Sequence, residues 1–266
     1  MKICISLLVF SLFSSCSLHQ EKANSSELDN QSSKSITAMQ QAEPFVLLEL
    51  FTSEGCSDCP AAEVVLNDIA LEAFADRSYV YALSFHVDYW NKLGWKDEFA
   101  SAQYSDRQRY YRKLFGNEVV YTPQAVINGI EEFVGSDKKR MQLSIKRSLQ
   151  ITPSCYFTMT PNENWTSLNI DLISITDSIK NDTFSYSLNA AIVERSLITQ
   201  VKRGENADKT LRHENVVRYL NSVEWLKNNQ VLILEYEAKF TENHSLIAFI
   251  QNNQTGKIIG ANIWNY

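Results

Sequence analysis

Hydrophobic and polar positions divide the chain into three parts with different patterns. An apolar run from Ile3 to Phe13 precedes a polar stretch, residues 17–43, that is rich in Ser, Gln and Asn and has no hydrophobic period. Between residues 44 and 151, continuous apolar runs alternate with segments of helical spacing, which predicts strands alternating with helices. After Pro153, polar and apolar residues alternate in six or seven short segments, which predicts antiparallel strands.

The pattern between residues 44 and 151 predicts an ordered series of elements. They are a buried strand (Phe45–Phe51), a helix to about Ala75, a second strand (Tyr79–Val87), an insertion with two helical patterns (88–118), a hairpin around Asn128-Gly129, and a helix capped by Ser136. Residues 152–266 are predicted to form a small antiparallel β-sandwich domain. Within it, Lys202–Leu220 is polar and too long for a simple hairpin, and loops of that length are usually functional or disordered.

Composition narrows the class of protein. The chain has 266 residues, of which 44% are apolar and 21% charged, as in globular proteins with a sizeable core. Its net charge is -6, and no cluster of Lys and Arg interrupts the sequence. These features exclude a nucleic-acid-binding surface of the usual basic kind.

The N-terminus indicates export. The apolar run is too short to span a bilayer, which needs about 20 residues, so it is typical of a signal peptide. The letters LFSSC that end at Cys16 resemble a bacterial lipobox, which predicts a signal peptide at 1–16 with Cys16 as the lipidated residue. We expect residues 17–43 to form a flexible tether to the periplasmic face of a membrane. The alternative is an ordinary signal peptide cut nearby.

Export changes the interpretation of the five cysteines. Removal of the signal peptide and lipidation leave Cys56, Cys59 and Cys155 in an oxidising compartment, where a disulfide is stable. Cys56 and Cys59 form a C-x-x-C pair at a strand-to-helix boundary, and they can be a redox dithiol, half of a metal site or a structural staple. Cys155 has no partner by this count and is expected to be a small buried hydrophobic residue.

Three stretches carry a resemblance to known proteins. The order of elements, with CSDC at the start of the first helix and YTPQAVING before the hairpin, resembles that of the thioredoxin superfamily. LELFTSEGCSDCPAAE, FHVDYWNKLGWKDEFAS and YTPQAVING together resemble exported bacterial thioredoxin-like proteins grouped as domain of unknown function 1223, a match that extends to residue 266. The resemblance implies an α/β thioredoxin-like domain at 44–151, with a helical insertion at 88–118, and a cis-proline at Pro123 beside the cysteines.

The chemistry of the pair follows from its place at a helix N-terminus. Exchange needs an exposed cysteine with a lowered pKa, and the unsatisfied N–H groups of a helix start favour a thiolate. We expect Cys56 to attack protein thiols or disulfides and Cys59 to resolve the mixed disulfide. The carboxylate of Asp58 disfavours a nearby thiolate, which predicts a mild oxidant or a reductant. Pro123 presents substrate backbone groups, and Thr122 adds a hydroxyl near the sulfurs.

Two other functions use the same residues. Cys56, Cys59 and His86 would suit copper, so a copper-binding or delivery module is one alternative. An ordinary zinc site is disfavoured because no second C-x-x-C or Cys-His pair exists in the sequence. The other alternative is a non-catalytic envelope binding protein. The leading hypothesis needs no cofactor beyond the Cys56–Cys59 disulfide, and its partners are protein thiols and an unknown redox protein.

Overall fold

The structure is a computed structural model that describes residues 42–265. The predicted signal peptide, the lipidation site Cys16 and nearly all of the tether at 17–43 lie outside the described residues. The strands are β1 (Val46–Thr52), β2 (Val80–His86), β3 (Gln124–Ile127), β4 (Glu131–Val134), β5 (Cys155–Pro161), β6 (Ser167–Ile175), β7 (Tyr186–Glu194), β8 (Leu197–Gln200), β9 (Thr210–His213), β10 (Val216–Glu224), β11 (Gln230–Ile233), β12 (His244–Asn252) and β13 (Ile258–Asn265). The helices are α1 (Cys59–Asp76), α2 (Ala102–Phe115), α3 (Lys138–Ser148) and the short α4 (Asp177–Lys180), with a 3₁₀ helix at Asp88–Leu93.

The apolar strand β1 lies in the middle of the first half of the fold. It pairs in parallel with β2 and antiparallel with β3, so its backbone is satisfied on both sides. All seven of its residues are buried, which explains the continuous rather than alternating apolar run. Helix α1 connects β1 to β2 and packs Ala62, Val65 and Leu66 on one face of the sheet. The parallel register places Thr52 opposite His86 at the ends of both strands.

The predicted hairpin is confirmed. Ile127 pairs with Glu131, so three residues connect the strands. Asn128 and Gly129 both have positive φ, 48° and 70°, as the central residues of a type I′ turn require, and the Ile130 N–H donates to the Ile127 carbonyl oxygen. Helix α3 follows β4, but its N-cap is Asp137 rather than the expected Ser136. The Asp137 carboxylate accepts a hydrogen bond from the backbone N–H of Arg140, and this satisfies one of the free donors at the helix start.

The insertion contains one α-helix rather than the two expected helical patterns. Helix α2 begins after Ser101, whose hydroxyl accepts from the backbone N–H of Gln103. Its Tyr104 and Tyr111 enter the core against Phe85 and Phe51. The insertion therefore closes the face of the sheet opposite α1.

The second half does not form a separate sandwich. One sheet of eight strands has the order β13-β12-β7-β10-β2-β1-β3-β4, so strands from both halves share it. The junction is the parallel pairing of β10 with β2, where Val216 lies opposite Ser84. Strands β11, β6 and β5 form a second sheet, and β8 and β9 form a third. The fold is thus mixed α/β, with a large mixed sheet and two smaller antiparallel sheets.

This arrangement corrects the expected β-sandwich of residues 152–266. Strands β5, β6 and β11 do enclose a core with β7 and β12, which includes Phe157, Leu188 and Leu246. However, the larger layer of that core continues into the sheet of residues 44–151, because β10 covers the edge of β2 that would otherwise expose unpaired backbone groups. Among the described helices, none is long and apolar enough to cross a membrane.

Candidate functional site

The C-x-x-C pair lies where β1 leads into α1. Cys56 and Cys59 form a disulfide with their Cα atoms 5.4 Å apart. Cys59 is the first residue of α1 and Pro60 the second, a position where the missing N–H of proline costs nothing. The helix N-terminus therefore points its free N–H groups at the pair. This is the local arrangement that the sequence predicted.

Residues before β3 bring a second backbone segment to the disulfide. The Thr122–Pro123 peptide is cis, as the resemblance implied. The Thr122 carbonyl oxygen lies 3.9 Å from the Cys56 Sγ. The Thr122 hydroxyl, which we expected near the sulfurs, accepts a hydrogen bond from the indole N–H of Trp90 at 2.9 Å. The contact of Thr122 with the dithiol is therefore made by its backbone.

Asp58 lies between the cysteines with an exposed side chain. It is the N-cap residue of α1, but its carboxylate makes no capping hydrogen bond. A position beside the helix start is consistent with an electrostatic influence on a thiolate there. Its effect on the redox poise stays a prediction.

The disulfide is covered by residues 202–213, here called the covering segment, which contains β9. The Asn206 amide donates two hydrogen bonds of 2.8 Å, to the carbonyl oxygens of Glu54 and Cys56. The Glu205 carboxylate accepts from the backbone N–H of Ser57 at 3.1 Å. Cys56 is only 1% exposed, whereas exchange was expected to need an exposed cysteine. The polar loop of the sequence analysis is thus a cover over the site.

A buried cluster of acids and histidines lies beneath the disulfide. It comprises Glu54, Glu63, His86, Asp97 and His213, all at most 4% exposed. Glu63 follows Cys59 by one turn of α1, His86 ends β2, and His213 ends β9. The cluster therefore joins the helix, the sheet and the covering segment.

Hydrogen bonds connect the cluster in pairs. His86 Nδ1 lies 2.7 Å from an Asp97 oxygen. His213 Nδ1 contacts Glu63 Oε2, and His213 Nε2 lies 3.1 Å from Glu54 Oε1. The rings of the two histidines meet edge to face at 5.2 Å. Each imidazole therefore has at least one carboxylate partner.

These contacts determine the ionisation of the cluster. Burial alone would lower the pKa of His213, but the carboxylates of Glu63 and Glu54 outweigh burial and raise the pKa to about 10. Burial likewise opposes the raised pKa of His86, which the negative charge of Asp97 produces. The pKa values of Glu63 and Asp97 lie below their ordinary values because the histidines outweigh the opposing effect of burial. Without a metal ion, the His213 imidazole is thus protonated near neutral pH.

The structure places His86 in this cluster. Within residues 42–265, the set of potential ligand atoms around His86 is completed by Glu63 and His213 and includes no cysteine sulfur. The copper set of Cys56, Cys59 and His86 stays a prediction. Cys155 is free and buried in the second half of the fold, as expected.

Sequence reasoning missed Glu54, Glu63, Asp97 and Asn206. One signal was available for Glu63, which follows Cys59 by four residues and precedes Leu66 by three. That spacing puts a carboxylate on the face of α1 that the apolar positions mark as buried. A charge on such a face needs a partner. The partner, His213, is 150 residues away in the sequence, so no local pattern points to it.

Comparisons with known proteins give a family and several similar structures, two of which follow. A family model described as Protein of unknown function (DUF1223) matches residues 47–251. A crystal structure of a protein from Agrobacterium tumefaciens is 26% identical, with a TM-score of 0.59 over 83% of this chain and 93% of that one. HBP35 of Porphyromonas gingivalis is 13% identical, with a TM-score of 0.54 over 84% of this chain and 76% of that one, a likeness of fold alone. No curated protein matches the chain significantly.

Proposed function

The chain belongs to the DUF1223 family, and on the geometry of its site we propose that it is a thiol–disulfide oxidoreductase of the bacterial cell envelope that acts on protein thiols. The observation that carries the proposal is the Cys56–Cys59 disulfide at the N-terminus of α1, next to the cis peptide before Pro123. A purely structural staple would gain little here, because closing a loop of so few residues removes little chain entropy.

The fold we propose for residues 44–151 is thioredoxin-like. Support comes from the parallel β1–α1–β2 unit followed by the antiparallel hairpin β3–β4 and helix α3. In this arrangement the dithiol lies beyond the end of β1, and a substrate strand reaches it along the Thr122 carbonyl. Main-chain pairing of that kind binds varied protein substrates without a dedicated pocket.

The reaction proceeds through a mixed disulfide at Cys56. A thiolate of a reduced substrate attacks the Cys56 sulfur, the Cys56–Cys59 bond breaks, and Cys59 leaves as a thiolate. A second substrate thiolate then attacks the substrate sulfur of the mixed disulfide and releases Cys56. The substrate loses two electrons and gains a disulfide, and the protein gains two electrons as a dithiol. In the opposite direction the Cys56 thiolate attacks a substrate disulfide and forms a mixed disulfide. The Cys59 thiolate then attacks the Cys56 sulfur of this mixed disulfide and releases the reduced substrate.

The location is part of the proposal. We place the protein at the periplasmic face of a membrane, where a lipid on Cys16 anchors it. An unidentified redox protein reoxidises or reduces the Cys56–Cys59 pair after each reaction. An oxidising compartment keeps the resting state as a disulfide and makes exchange with protein thiols useful.

Serine variants of each cysteine test the function. The purified chain is equilibrated with glutathione buffers, and a reduced, unfolded protein with two cysteines is the substrate. We expect wild type to equilibrate and Cys56→Ser to lose exchange, while Cys59→Ser accumulates a mixed disulfide at Cys56. Cys155→Ser is the matched control and should keep the wild-type rate. A disulfide that does not equilibrate with glutathione at any ratio would leave the non-catalytic binding protein as the better hypothesis.

A further inference from the structure

We propose that His86, His213 and Glu63 bind one zinc ion in the buried cluster beneath the disulfide. One potential ligand atom from each of these side chains lies within 4.8 Å of the other two. In a tetrahedral zinc site, ligand atoms about 2.1 Å from the metal are about 3.4 Å apart, so small side-chain movements would complete the geometry. The three residues come from α1, β2 and β9.

The free nitrogen of His86 is the observation that points to a ligand. Its Nδ1 is engaged by Asp97, while its Nε2 is fully buried and has no hydrogen-bond partner within residues 42–265. A buried polar nitrogen without a partner costs free energy. A metal ion at this nitrogen would satisfy it.

Both histidines carry the outer partner that metal-binding histidines usually have. Asp97 holds Nδ1 of His86, and Glu54 holds Nε2 of His213. Such carboxylates fix the ring orientation and increase the basicity of the nitrogen on the opposite side. The nitrogens left for the ion are Nε2 of His86 and Nδ1 of His213, and the latter already faces Glu63.

The Glu63 carboxylate is held in a suitable orientation. The Thr52 hydroxyl donates to Glu63 Oε1 at 2.7 Å, which leaves Oε2 toward His213. An ion between Oε2 and the two nitrogens would replace the direct contact of Glu63 with His213. Water would occupy the fourth position, as in zinc sites with three protein ligands.

Charge and donor type favour zinc over other ions. Glu54, Glu63 and Asp97 bring three carboxylates into a buried site, so a divalent cation offsets negative charge there. Two imidazoles and one carboxylate are a common zinc ligand set, whereas calcium and magnesium prefer oxygen ligands. The ion would tie the covering segment to α1 and β2.

Metal binding by the purified full chain tests the proposal. The chain is stripped with a chelator and dialysed against zinc chloride, and bound zinc is counted by mass spectrometry. We expect one zinc per chain in wild type and in the Cys56→Ser, Cys59→Ser double variant, which cannot exchange disulfides. His86→Ala and Glu63→Gln should lose the ion, and Asp97→Asn should lower the affinity roughly 10- to 100-fold. His244→Gln, a change at a buried histidine outside the cluster, is the control and should retain one zinc.

Cobalt(II) provides a second measurement on wild type, which remains decisive if the variants do not fold. We expect visible bands of low-symmetry coordination by nitrogen and oxygen, without the near-ultraviolet band that thiolate ligands produce. No bound zinc in wild type, zinc that survives both His86→Ala and Glu63→Gln, or a thiolate band would overturn the proposal. Since the double cysteine variant separates metal binding from exchange, either hypothesis can fail alone.

Discussion

Replacing Asn206 with alanine tests whether the covering segment controls access to the disulfide. The Asn206 side chain is fully buried, and its amide holds the carbonyl oxygens of Glu54 and Cys56 through two hydrogen bonds of 2.8 Å. Alanine removes both bonds. The state in which the covering segment lies over the disulfide (the closed state) loses these two hydrogen bonds. The state in which the segment has moved away (the opened state) loses none, because Asn206 and both carbonyl groups are hydrated there.

The size of the effect follows from these two bonds. Each contributes about 1 kcal/mol net, so Asn206→Ala destabilises the closed state by about 2 kcal/mol. Since about 1.4 kcal/mol corresponds to a factor of ten, the opened population rises about 30-fold. If reduction occurs only in the opened state and closing is fast, the rate of reduction rises by the same factor.

The assay measures how fast dithiothreitol reduces the disulfide in the native protein. Samples are quenched with an alkylating reagent, and alkylated Cys56 is counted by mass spectrometry. Asn189→Ala is the matched control, since Asn189 is a buried asparagine that also donates to two backbone carbonyls but lies in β7. It should lower the free energy of unfolding with less than about a twofold effect on reduction. If Asn206→Ala reduces no faster than this control, the covering segment does not gate the dithiol and the reasoning fails.

Three further predictions concern stability and reactivity. Glu49→Gln should lower the free energy of unfolding in urea by roughly 3–5 kcal/mol, because the guanidinium of Arg107 then loses its buried carboxylate partner. Gly129→Ala should cost roughly 3 kcal/mol or more, because φ is +70° and the new Cβ would lie 1.8 Å from the Gly256 carbonyl oxygen. Burial raises the pKa of the Cys155 thiol to about 12, so at pH 8 it should react with a disulfide reagent roughly 1,000-fold more slowly in the native than in the unfolded chain.

Each of the two stability predictions has its own control variant. Asp106→Asn breaks the exposed pair with Arg109 and should change stability by less than about 0.5 kcal/mol. Gly116→Ala has the same positive φ with open space around the new Cβ, so it should cost only about 1 kcal/mol. If Glu49→Gln lowers the free energy of unfolding no more than Asp106→Asn, burial of the ion pair is not the cause of the loss. If Gly129→Ala lowers it no more than Gly116→Ala, the contact with the Gly256 carbonyl oxygen is not the cause. Rapid native labelling of Cys155, followed at its own peptide, would show that its burial is not what limits its reactivity.

Local sequence patterns were enough to predict β1, the hairpin turn and the position of the dithiol. These three features are local patterns: the apolar run of β1, the Asn128-Gly129 turn, and the C-x-x-C at the start of α1. Each depends only on residues that are close together in the sequence. The same local logic placed Pro123 before β3. Local patterns failed by one residue at the start of α3, since both Ser136 and Asp137 are good capping residues. They also predicted two helical segments in the insertion, where the structure has one α-helix.

Which strands and helices contact one another depends on long-range pairing that no local pattern reveals. The alternation of polar and apolar residues along a strand shows which side chains face inward, but it does not show which strand lies beside it. The pairing of β10 with β2, and the sheet that both halves share, could therefore not be predicted. His213 and Glu54 are 159 residues apart and meet only because that pairing brings β9 over α1. The burial of Cys56 has the same origin. Local periodicity therefore located the reactive pair, and long-range strand pairing supplied its cover and the charged cluster beneath it.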